Sequence, residues 1–322
     1  MTTALILGVN GQDGSYLAES LLRRGIAVVG VGHRDESRHV APQSGFTYVR
    51  LDLTQSDEVA GLVERAAPDL AFHVAAVHGA ISAGFTYEEA WRDMMRVNVF
   101  ALHVLLEHAR LRAPDMTIIY AGSSKVFPTP LAGLIDETTE TRASCLYSVG
   151  KLAARDLMRE YRRTHGLKTT NLILFNHDSP RRPPQFFLPI VATTIAESLR
   201  DRAYTTRVRT LDFRIDWSAA DEIMDIVVDI ALRGAPHEVV VASGMTVYAR
   251  EVVSGIFARY GLDARRHLLE DLAPAEPGPQ FMVGIDCLLE ASGRRPRKTV
   301  ADIVDDMLEA QRSAPFANRG LV

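Results

Sequence analysis

Gly8-Val9-Asn10-Gly11-Gln12-Asp13-Gly14-Ser15-Tyr16-Leu17 follows an apolar run at residues 4–7 and opens a helical pattern. The order is strand, glycine-rich turn, helix. In that setting Gly8 permits the tight exit from the strand, Gly11 lets the backbone close on a pyrophosphate, and Gly14 lets the helix pack flat on a sheet. The helix amides and the positive end of its dipole then face the anion. An ordinary glycine-rich turn can share the spacing; the strand before it and the helix after it select a dinucleotide site. Asn10, Gln12 and Asp13 ride on the same turn and are expected at the cofactor.

A chain of 322 residues can bury one large core or two modest ones. Its net charge of -4 comes from scattered charges of both signs, so neither nucleic acid nor a membrane surface has an electrostatic footing as partner. Cys145 and Cys287 lie far apart without metal-ligand spacing, which fits a reducing cytoplasm and implies no metal site. No run approaches a membrane span, and residues 4–7 are too few for a signal peptide.

Working outward from the turn, residues 26–31 read as a second buried strand, a parallel neighbour of the first. Dinucleotide folds choose their cofactor at the end of this strand, where an acid takes a ribose hydroxyl and a cation takes a 2'-phosphate. Gly32 stands where the acid would be, followed by His33 and Arg34, which favours NADP; Asp35 leaves NAD open. A third strand over 46–51 ends at Asp52 and Leu53, with Asp52 placed either to bond the adenine amino group or to cap the next helix. After a helix near 59–66, a strand at 70–74 runs into Ala75 and Ala76, small enough for backbone to approach the cofactor. A long helical pattern over 86–110 carries Asn98, which is either a hydrogen-bonding link between strand and helix or a surface residue.

The fifth strand, 116–121, delivers Ser123, Ser124 and Lys125 beyond its carboxyl end, where open parallel sheets bind ligands. Residues 128–142 read as a loop. Tyr147 and Lys151 then open a helix through 163 and share one of its faces. Past a sixth strand at 168–175, the proline-rich stretch 176–189 reads as an irregular loop covering substrate. Helices at 189–200, 221–232, 248–260 and 299–311 alternate with short strands at 208–213, 238–242 and 281–283. The class is α/β: a Rossmann-type doubly wound parallel sheet with a smaller C-terminal substrate-binding lobe. Residues 1–175 form the nucleotide domain, with 205–245 partly interleaved, and 176–322 mainly the lobe.

Tyrosine is a poor base at neutral pH because its free pKa is about 10. A lysine ammonium one turn away, with the positive ring of oxidised nicotinamide, would bring the phenol toward the working range. With Ser123 bonded to the same hydroxyl, Tyr147 takes a proton from a substrate alcohol while hydride leaves its carbon.

These residues, with GVNGQDGSYL at 8–17, LDLT at 51–54, ETT at 137–139, YSVGK at 147–151, LFNHDSPRR at 174–182 and LDFRIDW at 211–217, give the chain its likeness to known sequences. It resembles the extended short-chain dehydrogenase/reductases, and most of all their GDP-mannose 4,6-dehydratase branch, over nearly its whole length. The resemblance implies a seven-stranded sheet, NADP, a nucleotide-diphosphate sugar (a GDP-sugar by preference) oxidised at C4, and homodimers or homotetramers built through the two long helices. It places Ser124 and Asn176 at the substrate and makes Arg182, Arg209 and Arg214 candidates for the diphosphate.

Two departures limit the activity that carries over. Lys125 fills the slot of the glutamate that removes the C5 proton in the dehydratases. Its neutral form would have to be enforced by burial or by cations such as Lys151. Epimerisation or plain 4-oxidoreduction is therefore the alternative to dehydration. In the GDP-fucose synthases that slot holds an acid/base cysteine; their partner histidine is not evident, and Arg181 or Arg182 lies about where it would fall. Ile215 replaces the family arginine before Asp-Trp. From another class, a non-catalytic NADP-binding sensor would not need Tyr147.

Overall fold

Strands covered by helices on both faces must be apolar on both sides, and the first, β1 (Thr3–Leu7), is buried beyond its opening residue. The computed structural model describes residues 2–78, 87–234 and 236–313. From the N-terminus follow α1 (Gln12–Arg23), β2 (Ala27–Gly32), β3 (Phe46–Arg50), α2 (Ser56–Ala66), β4 (Leu70–His73), α3 (Tyr87–Met95), α4 (Ala101–Leu111), β5 (Thr117–Ala121), β6 (Gly133–Ile135), α5 (Leu146–His165) and β7 (Thr169–Leu174). Then come β8 (Asn176–Asp178), α6 (Phe187–Arg200), β9 (Thr206–Val208), β10 (Arg214–Ala219), α7 (Ala220–Arg233), β11 (Glu238–Val241) and β12 (Thr246–Tyr248). The chain ends in α8 (Ala249–Arg259), α9 (Ala264–His267), β13 (Leu268–Glu270), β14 (Phe281–Val283), α10 (Asp286–Ser292) and α11 (Val300–Ser313).

Seven strands form one sheet in the order β11-β7-β5-β4-β1-β2-β3, every pair parallel. The winding reverses between β1 and β4, and the glycine turn sits over that switch point, where such sheets bind ligands. Leu17 and Leu21 of α1, Val227 of α7 and Leu288 of α10 bury one face of the sheet. Leu62 of α2, Leu105 of α4 and Met158 of α5 bury the other. A third core packs Val191 of α6, Phe257 of α8 and Ile303 of α11 against Trp217 of β10, and forms the smaller lobe.

Local chemistry fixes the ends that matter for the site. At α5, the Cys145 thiol accepts from the third helical amide while Ser148 returns a bond to the Cys145 amide, a reciprocal cap. Gly166, at φ 67°, closes the same helix. Between α3 and α4 the helix widens into a π turn over Arg96–Phe100. That extra residue buries Asn98 completely.

Several boundaries differ from expectation. The stretch 176–189 is not irregular throughout: β8 pairs in parallel with β10, and α6 starts at Phe187 with Pro189 in its first turn, where the missing amide costs nothing. The expected strand at 208–213 is replaced by β9 and β10 flanking a turn. Strand β10 escaped notice because Asp216 and Ser218 put polar side chains on one of its faces. Strand β6 interrupts the loop at 128–142 by pairing with β14. The long helix was expected to begin at Thr86, which lies outside the described residues.

Candidate active site

The glycine turn does what its spacing implies. Gly8, at φ 103°, lies so close to the chain after β4 that a Cβ on it would sit 2.7 Å from the Ala75 nitrogen. A Cβ on Gly14 would sit 2.2 Å from the Gly8 oxygen. Gly11 caps α1 with no side-chain bond to the first amides. Those free donors at a helix N-terminus fit the pyrophosphate of a dinucleotide.

The neighbouring candidates divide. Asn10 faces the loop after β2, donating to the Tyr48 hydroxyl at 3.0 Å and the Glu36 carbonyl at 3.1 Å and accepting from the Arg38 amide at 2.8 Å. It shapes the loop that presents His33 and Arg34, both exposed. A Cβ at Gly32 would lie 2.7 Å from the Tyr48 oxygen and 2.8 Å from the Asn10 side-chain nitrogen, so any side chain there would have to displace both. Asp52 is exposed and accepts from the Thr54 amide at 2.9 Å, a local turn bond that does not cap α2, whose N-cap is Gln55; Leu53 packs beneath.

Gln12 and Asp13 turn toward the other lobe. Gln12 donates to the His177 carbonyl at 3.2 Å and accepts from the Ser179 hydroxyl at 2.8 Å. Asp13 lies 2.9 Å from the His177 ring. Arg181 stacks over Tyr16 at 3.9 Å and binds Glu19 and Ser15. The two most specific motifs in the sequence, GQDGSYL and FNHDSPRR, therefore lock onto each other, and Arg181 is taken up in that seam.

A cavity of about 610 Å³ opens beyond β5, bringing Asp13, Ala76, Ser123, Ser124, Lys125, Tyr147, Lys151, Asn176 and Arg182 to one space. Gly122 at its floor has no room for a side chain: a Cβ would meet Asn171 at 2.5 Å. Lys151, 1 % exposed, donates to the Ala121 carbonyl at 2.6 Å and the Tyr120 hydroxyl at 3.2 Å. Tyr120 passes its own proton to the Asn98 carbonyl at 2.9 Å. The Asn98 side chain holds both the amide and the carbonyl of Val77 at 2.9 and 3.1 Å, the hydrogen-bonding link between helix and strand exit. Sequence reasoning missed Tyr120, the penultimate residue of β5, and His78, whose ring stacks on Tyr147 at 5.1 Å.

The electrostatics of the chain alone leaves the phenol to its ligands. In the chain by itself burial pushes Tyr147 up to about 12, and the Ser123 hydrogen bond only partly opposes it. Lys151 points its ammonium at Ala121 and Tyr120, 5.4 Å from the Tyr147 ring centre, and burial pulls it down to about 7. The pair does not by itself make the phenol more acidic.

A second chamber of about 340 Å³ shares Ser124, Lys125 and Asn176 with the first and extends to Arg214 and Asp216. The Arg214 Nε is buried without a partner. Arg182 lies 3.1 Å from Asp178, without hydrogen-bond geometry, and stacks over Phe186. Arg209 is exposed and lines neither chamber, so it is not brought to the site. Lys125 is exposed at the junction, not buried. Among the described residues no cluster of histidine, cysteine or carboxylates could hold a metal, and no helix is long and apolar enough to cross a membrane.

A family model described as GDP-mannose 4,6 dehydratase matches residues 5–282. Over 275 residues the chain is 30% identical to GDP-mannose 4,6-dehydratase of Yersinia enterocolitica, covering 79% of this chain and 70% of that protein. Among solved structures, dTDP-glucose 4,6-dehydratase of Bacillus anthracis, in complex with NAD, superposes with a TM-score of 0.80 at 14% identity over 97% of each chain. RMD from Pseudomonas aeruginosa, complexed with NADPH, superposes with a TM-score of 0.75 at 20% identity over 98% of this chain and 100% of that one. The last two are likenesses of fold.

Proposed function

The chain belongs to the GDP-mannose 4,6-dehydratase family of the extended short-chain dehydrogenase/reductases, and on that premise we propose that it oxidises C4 of a GDP-mannose-like nucleotide sugar with NADP. One observation carries the reading. Two chambers that share Ser124, Lys125 and Asn176 have Ser123, Tyr147 and Lys151 in one and an unpartnered buried nitrogen of Arg214 in the other. Gly8, Gly11 and Gly14 hold the dinucleotide, with Asn10, His33, Arg34, Asp52, Leu53, Ala75 and Ala76 along its length.

A bound oxidised nicotinamide supplies the acceptor for the C4 hydride and a positive charge beside the phenol. Tyr147 takes the hydroxyl proton, and Ser123 orients that hydroxyl. Lys151, anchored through Tyr120 to Asn98, holds its charge below the phenol ring. Arg214 and Arg182 receive the diphosphate, and Ser124 and Asn176 sit between it and the sugar. Exposed Tyr87 of α3, Phe100 of the π turn and Leu111 of α4 leave apolar side chains uncovered along this helical run, in keeping with a homodimer or homotetramer through the long helices, and the two free cysteines suit a reducing cytoplasm.

The second reading, epimerisation or 4-oxidoreduction, is favoured by Lys125, because an exposed cation stands where dehydration needs an acid. Mass spectrometry after incubation with GDP-mannose and longer-chain GDP-sugars separates the outcomes: loss of water is expected for dehydration, loss of two hydrogens for 4-oxidation, and for epimerisation an unchanged mass in ordinary water with a gain of one unit per exchanged C5 or C3 position in heavy water. Lys125→Ala abolishes that exchange if the amine is the second base. Tyr147→Phe is expected to stop turnover while cofactor binding persists. Intact function in that variant would instead identify a sensor.

A further inference from the structure

We propose that His177 is a positioning residue for the catalytic pair: clamped as an imidazolium between Asp13 and the Phe175 carbonyl, it offsets the carboxylate charge that the cavity would otherwise present in full to Tyr147 and Lys151. The proposal rests on the reading of those two residues given above. Its warrant is the geometry of the ring. Nδ1 of His177 lies 2.7 Å from the Phe175 carbonyl oxygen, and Nε2 lies 2.9 Å from Asp13 Oδ1. Neither neighbour has a proton to give. A neutral imidazole has one N–H and one bare nitrogen, so either tautomer would set a lone pair against an oxygen in a place where the side chain is only 10 % exposed. Only the doubly protonated ring donates to both.

The surrounding charges agree. Asp13 on α1 faces the ring directly, while Asp178 at the end of β8, Arg182 beyond it and His78 after β4 also bear on it. Burial opposes charge on both partners, yet His177 is raised and Asp13 is brought down to about 2. Asp13 lines the same cavity as Tyr147 and Lys151, and its carboxylate acts on both, lifting the phenol and holding the amine protonated. A charged His177, 2.9 Å from Asp13 Oδ1, opposes that field.

Lysines Lys125, Lys151, Lys168 and Lys298 are few enough for a labelled chain to report Lys151 directly by NMR, assigned by the signal that Lys151→Met removes. His177→Gln keeps a donor to Asp13 but not the charge, and is expected to move the Lys151 midpoint up by about half a pH unit or more. Asp13→Asn lets both charges go together, so the double variant is expected to return the midpoint to near its starting value. The acid limb of kcat/KM for C4 oxidation should follow the same pattern. An unmoved midpoint in His177→Gln, or no return in the double variant, overturns the proposal. So does a 15N spectrum of the unaltered chain showing one proton on the His177 ring at neutral pH, whatever the variants do. Failure to turn over any nucleotide sugar would count against the function but leave both NMR results to decide this point.

Discussion

A phenol held at about 12 is roughly 7 kcal/mol from ionisation at neutral pH, at about 1.4 kcal/mol per unit. Tyr147 therefore depends on cations brought to it, and the residues that place those cations matter as much as the hydroxyl. Cofactor choice is decided at the same scale. With Gly32 crowded by Tyr48 and Asn10, the proposed discrimination rests on the exposed His33 and Arg34. Arg34→Ala is expected to weaken NADP binding about tenfold or more and NAD binding little; equal losses in fluorescence titrations would remove the argument. At the far end of the cleft, Arg214→Ala should raise KM about tenfold with kcat preserved, because it removes a charge-assisted contact made throughout the reaction. Arg209→Ala should leave both constants unchanged, since that side chain lies outside the cleft.

Among the elements, α5 carries both Tyr147 and Lys151, and its placement rests on a clamp at the sheet edge. Glu238, the first residue of β11, takes Arg155 in two hydrogen bonds at 2.8 and 2.5 Å and Arg159 in two more. Arg155 is 5 % exposed, so Glu238→Gln strands a buried guanidinium; about 3 kcal/mol of stability should be lost in urea unfolding. Arg159, half exposed, should cost under about 1 kcal/mol when removed. The elements built on apolar period were legible in the sequence: β1, β2, β4, β5 and β11 are nearly continuous hydrophobic runs, β7 ends in one, and the buried stripe Val300, Ile303, Val304, Met307 and Leu308 marked α11. Elements whose partners are distant were not. β8 and β10 pair across some forty residues with polar side chains between, and their register comes from the lobe, not from local pattern. The π turn was equally hidden, because it differs from an α-helix only in where Asn98 points.

Across the whole molecule, burying Lys151 has a price in stability with a definite sign. Its folded pKa of about 7 lies below the free value of 10.5, so the unfolded chain binds the extra proton between those limits. The cost is fully present below pH 7 and is relieved as pH rises toward 10.5. Cofactor-free chain should therefore gain stability from pH 7 to 9 in denaturant titrations, and Lys151→Met should lack that part of the gain; parallel curves would contradict the burial argument. At this scale the sequence disclosed the parts of the site but not their joining. GQDGSYL and FNHDSPRR were each recognisable, yet that Gln12 binds Ser179 and Arg181 lies on Tyr16 is a fact of folding alone. Helix α1 is bound on its other side as well, through Arg24 and Ser20 to Asp225 of α7. One twelve-residue rod thus serves as axle for both jaws. On the proposed function, a molecule assembled this way has no independent drawer for its redox partner: whatever loosens the grip on the dinucleotide is expected to slacken the hold on the sugar.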